Sequence, residues 1–110
     1  MTAHEVKEMM EELSIPTSYF KFDEGRTVQP PFAVWYFGES NDVYADDRNY
    51  VPISSLVIEL YTDEIDLEIQ QEIQNLLTEH ELPYIRTEPN YIEEELLYEV
   101  DFETEVQIDA

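Results

Sequence analysis

The chain has 110 residues, with five Lys+Arg and 27 Asp+Glu, and its formal net charge at pH 7 is −22. A chain of this length supports one hydrophobic core, so we expect residues 1–110 to form a single domain. Proteins that bind nucleic acid or anionic membranes neutralise phosphates with Lys and Arg side chains, and five basic residues are too few for such a footprint. The charge therefore argues against ordinary nucleic-acid binding and membrane-surface binding.

The sequence contains no cysteine, although 43% of its residues are hydrophobic and 13% are aromatic. The lack of cysteine excludes disulfide bonds, a thiolate nucleophile and Cys-ligated metal sites. Acidic residues stand near the N-terminus, where a signal peptide would be basic, and no stretch approaches the ~18 apolar residues that span a membrane. We expect a folded protein that is located in the cytoplasm when it is synthesised.

A first helix is predicted at about residues 3–13. Thr2 and Glu5 have the spacing of a capping box. Apolar residues then recur at the spacing of one helical face, namely Val6, Met9, Met10 and Leu13. The helix should end before Ile15-Pro16, because a residue that precedes proline is disfavoured in the α region.

Two aromatic segments follow the first helix. Tyr19, Phe20 and Phe22 suggest a short strand, and residues 32–37 form a continuous β-branched and aromatic run after Pro30-Pro31. Both faces of this second strand should be covered, with Trp35 in the core. Residues 39–49 are polar and contain turn formers, so we expect a long, exposed loop with a mobile tip between two antiparallel strands.

A further strand is predicted within residues 51–61, where Glu59 is the single charged residue and indicates one partly solvated face. Thr62 or Asp63 should then begin a second helix, which ends at Leu82-Pro83. Its apolar residues follow helical spacing: Ile65, Ile69, Ile73, Leu76 and Leu77. Residues 84–86 are a candidate for another short strand.

The most regular segment is the last one, in which apolar residues or threonine occupy the even positions from Leu96 to Ile108. Acidic residues occupy the odd positions Glu99, Asp101, Glu103 and Glu105. A period of two predicts a long antiparallel strand with one face on the core and a fully exposed acidic face. These crowded carboxylates should have raised pKa values. Together, the elements predict an α+β fold in which two helices pack on one face of an antiparallel sheet of four to five strands.

Catalytic and cofactor motifs are missing from the sequence. It has no Gly-rich phosphate loop, no G-x-S-x-G and no H-E-x-x-H, so we expect neither an enzyme nor a cofactor. The acidic loop around Asp46 and Asp47 lacks the glycine and glutamate pattern of a calcium-binding hand, so no metal site is predicted. His80 is interpreted as a cap of the second helix and not as a base.

Several segments resemble small proteins of the head–tail morphogenesis modules of siphovirus-type bacteriophages and prophages of Gram-positive bacteria. The similar segments are Ile15-Pro16, Pro30-Pro31-Phe32, residues 41–46, residues 60–63 and residues 91–100. These proteins are tail terminator or tail completion proteins, with an α+β fold and assembly as a hexameric ring. The resemblance implies no catalytic residues.

The resemblance implies a structural protein of the virion that assembles in the host cytoplasm, caps the tail tube and joins the tail to the head. Its partners would be further copies of itself, the tail-tube protein and the head–tail connector proteins. If Glu99, Asp101, Glu103 and Glu105 line the lumen of the ring, DNA passes as cargo without sticking. An assembly surface is expected in the loop, at Asn41, Asp42, Tyr44, Asp46 and Asp47.

Two other functions remain open from the sequence. An acidic DNA mimic that inhibits a DNA-binding protein would explain the charge equally well, but such a protein would be a compact monomer or dimer. Another connector or adaptor component of the head–tail junction would require neither a ring nor a lumen.

Overall fold

The computed structural model of the chain describes residues 1–22, 28–40, 43–45 and 49–108. In chain order, its elements are α1 (Ala3–Glu11), β1 (Thr17–Tyr19), β2 (Phe32–Ser40), β3 (Val43–Ala45), β4 (Asn49–Val51), β5 (Ile53–Thr62), α2 (Leu67–Glu79), β6 (Tyr84–Arg86), β7 (Asn90–Ile92) and β8 (Leu97–Gln107). Among the described residues, neither helix combines the length and the hydrophobicity needed to span a membrane.

Six of the strands form one sheet in the order β1-β2-β5-β8-β6, and β7 also pairs with β8. Only the β1–β2 pair is parallel. Strands β3 and β4 form a separate two-stranded ribbon. The predicted α+β class is confirmed, with six strands in the main sheet where four to five were expected.

The core is one cluster of buried side chains. It joins residues of both helices, Leu13 after α1 and three central strands: Val6, Met9, Met10, Leu13, Ala33, Trp35, Leu56, Ile58, Leu60, Ile73, Leu76, Leu77, Val100, Phe102 and Val106. Burial of each large apolar side chain contributes about 1.5–3 kcal/mol to folding. This single cluster is consistent with the predicted packing of both helices on one face, and it confirms Trp35 as a core residue.

The helix boundaries differ from the predicted ones. The capping box of α1 is present, because the Thr2 hydroxyl accepts from the Glu5 N–H and the Glu5 carboxylate accepts from the Thr2 N–H. The second helix begins later than predicted, because Thr62 still pairs with Tyr98 in the sheet. The N-cap is Asp66, whose carboxylate accepts from the Ile69 N–H at 3.1 Å.

The strand boundaries also needed correction. The first strand, Thr17–Tyr19, includes Tyr19 but ends before Phe20 and Phe22, and Phe20 follows it with a φ of 66°. Strand β7 was not predicted. Strand β8 begins at Leu97, because Leu96 has a φ of 56°. The predicted loop of residues 39–49 holds the end of β2, all of β3 and the first residue of β4.

Candidate functional site

The carboxylates of β8 share one face of the sheet with Glu59 of β5. Residues directly opposite each other in an antiparallel pair lie on the same face, and Glu59 is opposite Asp101. We define the acidic face by five side chains, Glu59, Glu99, Asp101, Glu103 and Glu105. The intervening residues Val100, Phe102 and Val106 are at most 2% exposed. The predicted alternation of core and acidic residues along the last strand is therefore present.

The acidic face is not uniformly exposed, contrary to the prediction. Glu103 and Glu105 are exposed, whereas Glu99 and Asp101 are half-buried. At the half-buried end, Glu99 is opposite Tyr61 on one side and Asn90 on the other, and Asp101 is opposite Glu59 and hydrogen-bonded through its backbone to Thr87. Neighbouring side chains on both flanks remove solvent from that end of the face.

Three carboxylates meet at the half-buried end of the acidic face. One oxygen from each of Glu59, Glu99 and Asp101 lies within 4.8 Å of the other two. The Tyr61 hydroxyl donates to Glu59 Oε1 at 3.1 Å, and the Tyr36 hydroxyl lies 3.5 Å from Glu59 Oε2. We call Glu59, Glu99 and Asp101 the carboxyl cluster. Tyr61 is on the same strand as Glu59, whereas Tyr36 is on β2, on the side of β5 away from β8.

Burial raises the pKa of Asp101 to about 8, and both the hydrogen bond with Glu99 and the negative charges of Glu99 and Glu59 act in the same direction. Asp101 therefore carries a proton in most molecules at pH 7. Burial also raises the pKa of Glu59, although the hydrogen bonds from Tyr61 and Tyr36 oppose this increase. Among the described residues, Asp101 Oδ1 is buried without a hydrogen-bond partner.

Two chemical roles are open to the carboxyl cluster. It can share a proton between Asp101 and Glu99, which fits the raised pKa of Asp101. It also offers three oxygen ligands to a hard cation, whereas Ca²⁺ takes about six to eight at 2.3–2.6 Å. The cluster therefore provides only part of a calcium coordination shell. The absence of a metal site, expected from the sequence, stays a prediction.

Sequence reasoning identified Glu99, Asp101, Glu103 and Glu105 but did not place Glu59, Tyr36 or Tyr61 with them. The available signal was that Glu59 is the single charge in an otherwise uncharged strand. A solitary carboxylate there requires hydrogen-bond donors or water. Tyr61, two residues along the same strand, is on the same face and supplies a donor.

The other sequence-derived candidates are His80 and the predicted assembly loop. His80 is the C-cap residue of α2, and its Nε2 is 2.9 Å from Glu12 Oε2. For the predicted assembly loop, Tyr44 belongs to β3 and pairs with Tyr50. The loop's remaining members lie outside the described residues: Asn41, Asp42, Asp46 and Asp47.

Neither protein-family models nor curated proteins give a match to this sequence. The assignment of function therefore depends on the geometry and charge of the acidic face, together with the segments that resemble phage head–tail proteins.

Proposed function

We propose that the protein is a structural component of a siphovirus-type phage tail, which caps the tail tube and joins it to the head as a ring. The acidic face would line the lumen through which DNA passes. The observation that carries this proposal is the composition of the two longest strands. Neither β5, with 10 residues, nor β8, with 11, contains Lys, Arg or His.

The charge pattern suits a surface past which DNA must slide. Duplex DNA carries about one negative charge per 1.7 Å of helix axis, and it binds where Lys and Arg neutralise its phosphates. Alternate residues on a strand are about 7 Å apart, so Glu99 to Glu105 present acids at close, regular intervals. A negatively charged face repels the phosphates and offers no basic side chain to bind them.

The sheet holds these acids in fixed positions. The register between β5 and β8 is continuous for ten residue pairs, from Ile53 opposite Gln107 to Thr62 opposite Tyr98. The reverse sides of both strands are anchored by core residues such as Ile58 and Phe102, which are fully buried. A rigid acidic surface is suitable for a conduit wall, because it keeps its shape while cargo moves.

The carboxyl cluster also favours a conduit wall over a DNA mimic. A mimic must display ionised acids that basic side chains of its target can reach. Asp101, at the centre of the ladder, is half-buried, so the basic side chains of a target would reach it poorly. Only the exposed end of the ladder, Glu103 and Glu105, would be available to such a target.

Charge reversal at the exposed end of the face tests the proposal. In the phage that encodes the protein, Glu103→Lys combined with Glu105→Lys should give particles that assemble and package DNA but eject it poorly. Lysine at Glu99 or Asp101 would also perturb folding, because those sites are half-buried. The four-site variant with Glu99, Asp101, Glu103 and Glu105 all changed to Lys should block ejection, but it is the less specific experiment.

The matched control combines Glu64→Lys with Glu79→Lys, which makes the same change in net charge at exposed positions outside the acidic face. This control should infect normally. Normal infectivity of the variant with Lys at 103 and 105 would refute the lumen assignment. A purified chain that stays monomeric and inhibits a DNA-binding enzyme would instead favour the mimic.

A further inference from the structure

Glu59 accepts hydrogen bonds on both of its carboxylate oxygens. The Tyr61 hydroxyl donates to Oε1 at 3.1 Å, and the Tyr36 hydroxyl donates to Oε2 at 3.5 Å. The second contact is long for a hydrogen bond from a hydroxyl group, so Tyr61 supplies the stronger of the two. Hydrogen bonds to both oxygens stabilise a carboxyl group in its charged form.

Asp101 has the opposite surroundings. Its Oδ1 is buried and, in the part of the chain that the structure describes, has no hydrogen-bond partner. Its side chain also shares a hydrogen bond with Glu99, and two carboxyl groups can share one only if a proton lies between them. A carboxyl group with a buried and unpartnered oxygen is more favourable when it is neutral than when it is charged.

The two tyrosines remain donors while the carboxyl groups titrate. Burial raises the pKa of Tyr61 above its ordinary value of 10.0, and the negative charges of Glu59 and Glu99 act in the same direction. Burial also raises the pKa of Tyr36, again with help from the charge of Glu59. Each phenol therefore keeps an O–H group that it can donate to Glu59.

Packing fixes the positions of both tyrosine rings. The Tyr61 ring stacks on Phe32, with centroids 5.2 Å apart and an angle of 24° between the ring planes. The Tyr36 ring meets Phe20 edge-on, with centroids 5.9 Å apart. Side chains whose rotamers are held by packing keep their hydrogen-bonding groups in constant positions. The two hydroxyls are thus presented to Glu59 by rings that neighbouring aromatic residues hold.

These contacts divide the carboxyl cluster into a charged member and a protonated pair. We propose that the two tyrosines are positioning residues, which keep a negative charge on Glu59 and leave the shared proton to Asp101 and Glu99. In the described part of the chain, the titratable groups that face Glu59 are these tyrosines on β2 and β5 and these two carboxyl groups on β8.

The inference deepens the proposed function and rests on it for its biological meaning. A charge fixed on Glu59 would allow the half-buried end of the acidic face to repel DNA phosphates at neutral pH. Glu59 lies between Val34 of β2 and Asp101 of β8, so this charge is near the middle of the sheet. The location of the charge is a property of the isolated chain, so it is measured without the phage. Its failure would leave the lumen assignment to its own experiment.

NMR of the carboxyl carbons, with the full chain titrated from pH 3 to 9, tests the proposal. In the parent chain, Glu59 should titrate at lower pH than Asp101. Tyr61→Phe keeps the ring and removes the donor, so it should raise the titration midpoint of Glu59 by about 0.5–1 pH unit. Tyr36→Phe should raise this midpoint by a smaller amount, because its contact with Glu59 is longer.

Tyr91→Phe is the matched control. Tyr91 is opposite Tyr98, which precedes Glu99 and therefore lies on the other side of the sheet. This variant should leave the Glu59 midpoint unchanged. The proposal is overturned if Glu59 of the parent chain titrates at higher pH than Asp101. It is also overturned if Tyr61→Phe leaves the Glu59 midpoint unchanged, or if Tyr91→Phe raises that midpoint equally.

Glu59→Gln provides a second measurement that does not involve the tyrosine rings. The charge of Glu59 is one of the causes that raise the pKa of Asp101. Removal of that charge should therefore lower the titration midpoint of Asp101. An unchanged Asp101 midpoint would show that Glu59 carries no charge in the parent chain, and it would refute the proposed division of the cluster.

Discussion

Substitution Asp101→Asn should make the protein more stable at alkaline pH. The folded-state pKa of Asp101 is about 8, against an ordinary value of 3.8. Between these values the folded chain binds more protons at this site than the unfolded chain does, so stability falls as pH rises through that range. The contribution of the Asp101 proton to the free energy of unfolding is complete below about pH 4 and is lost above about pH 8. Asparagine keeps the shape of the protonated acid and never acquires the charge.

The magnitude follows from the pKa difference. One pKa unit corresponds to about 1.4 kcal/mol, but Asp101 is half-buried and solvent screens part of the repulsion. We therefore expect Asp101→Asn to be about 1–3 kcal/mol more stable than the parent chain at pH 9, and to be within ~0.5 kcal/mol of it at pH 4. A gain of 1 kcal/mol corresponds to a rise in Tm of about 4–8 °C for a domain of nearly this size.

Urea unfolding at a series of pH values from 4 to 9 measures the effect. The matched control is Glu105→Gln, which removes a charge from the same strand at an exposed position and should shift stability by no more than about 0.5 kcal/mol. The reasoning is refuted if Asp101→Asn retains the pH slope of the parent chain. It is also refuted if Glu105→Gln flattens that slope equally.

Four further outcomes are expected. The Tm of the parent chain should rise as pH falls from 8 to 5 and as salt increases, because protonation and screening both reduce the repulsion between carboxylates. A Tm that responds to neither pH nor salt would contradict the crowding of these acids. Phe102→Ala should cost about 3–5 kcal/mol in denaturant unfolding, because Phe102 is fully buried in the central strand. Thr2→Ala should cost about 1 kcal/mol by removing the capping box, and a smaller loss than that of an exposed substitution would show that the cap is redundant. Replacement of Asp46 and Asp47 by alanine should leave the main six-stranded sheet intact but give abnormal tails, and normal tails would contradict the assembly-loop hypothesis.

Local patterns were sufficient to predict several elements of the fold. The alternation from Val100 to Val106 identified the last strand and the orientation of its two faces, because a period of two can be read within one segment. The spacing of Thr2 and Glu5 correctly predicted the start of α1, because a capping box can also be read within one segment. The start of α2 was misplaced because Thr62, Asp63 and Asp66 are all acceptable caps; the pairing of Thr62 in the sheet excludes the first of them, and the hydrogen bond from the Ile69 N–H identifies Asp66.

The carboxyl cluster could not be predicted from local patterns. Glu59 is about 40 residues from Glu99 and Asp101 in sequence, and its proximity to them depends on the register that places it opposite Asp101. A shift of one residue in that register would have moved Glu59 to the other face. Strand β7 was also missed, because a three-residue segment such as Asn90–Ile92 has too short a pattern to distinguish it from a turn.

The raised pKa of Asp101 makes the charge of the acidic face depend on pH. As pH rises through about 8, Asp101 loses its proton beside Glu59 and Glu99, and the face gains negative charge. This face should therefore repel another anion more strongly in alkaline solution than at neutral pH. A count of the acidic residues in the strand overstates the charge of the face at neutral pH.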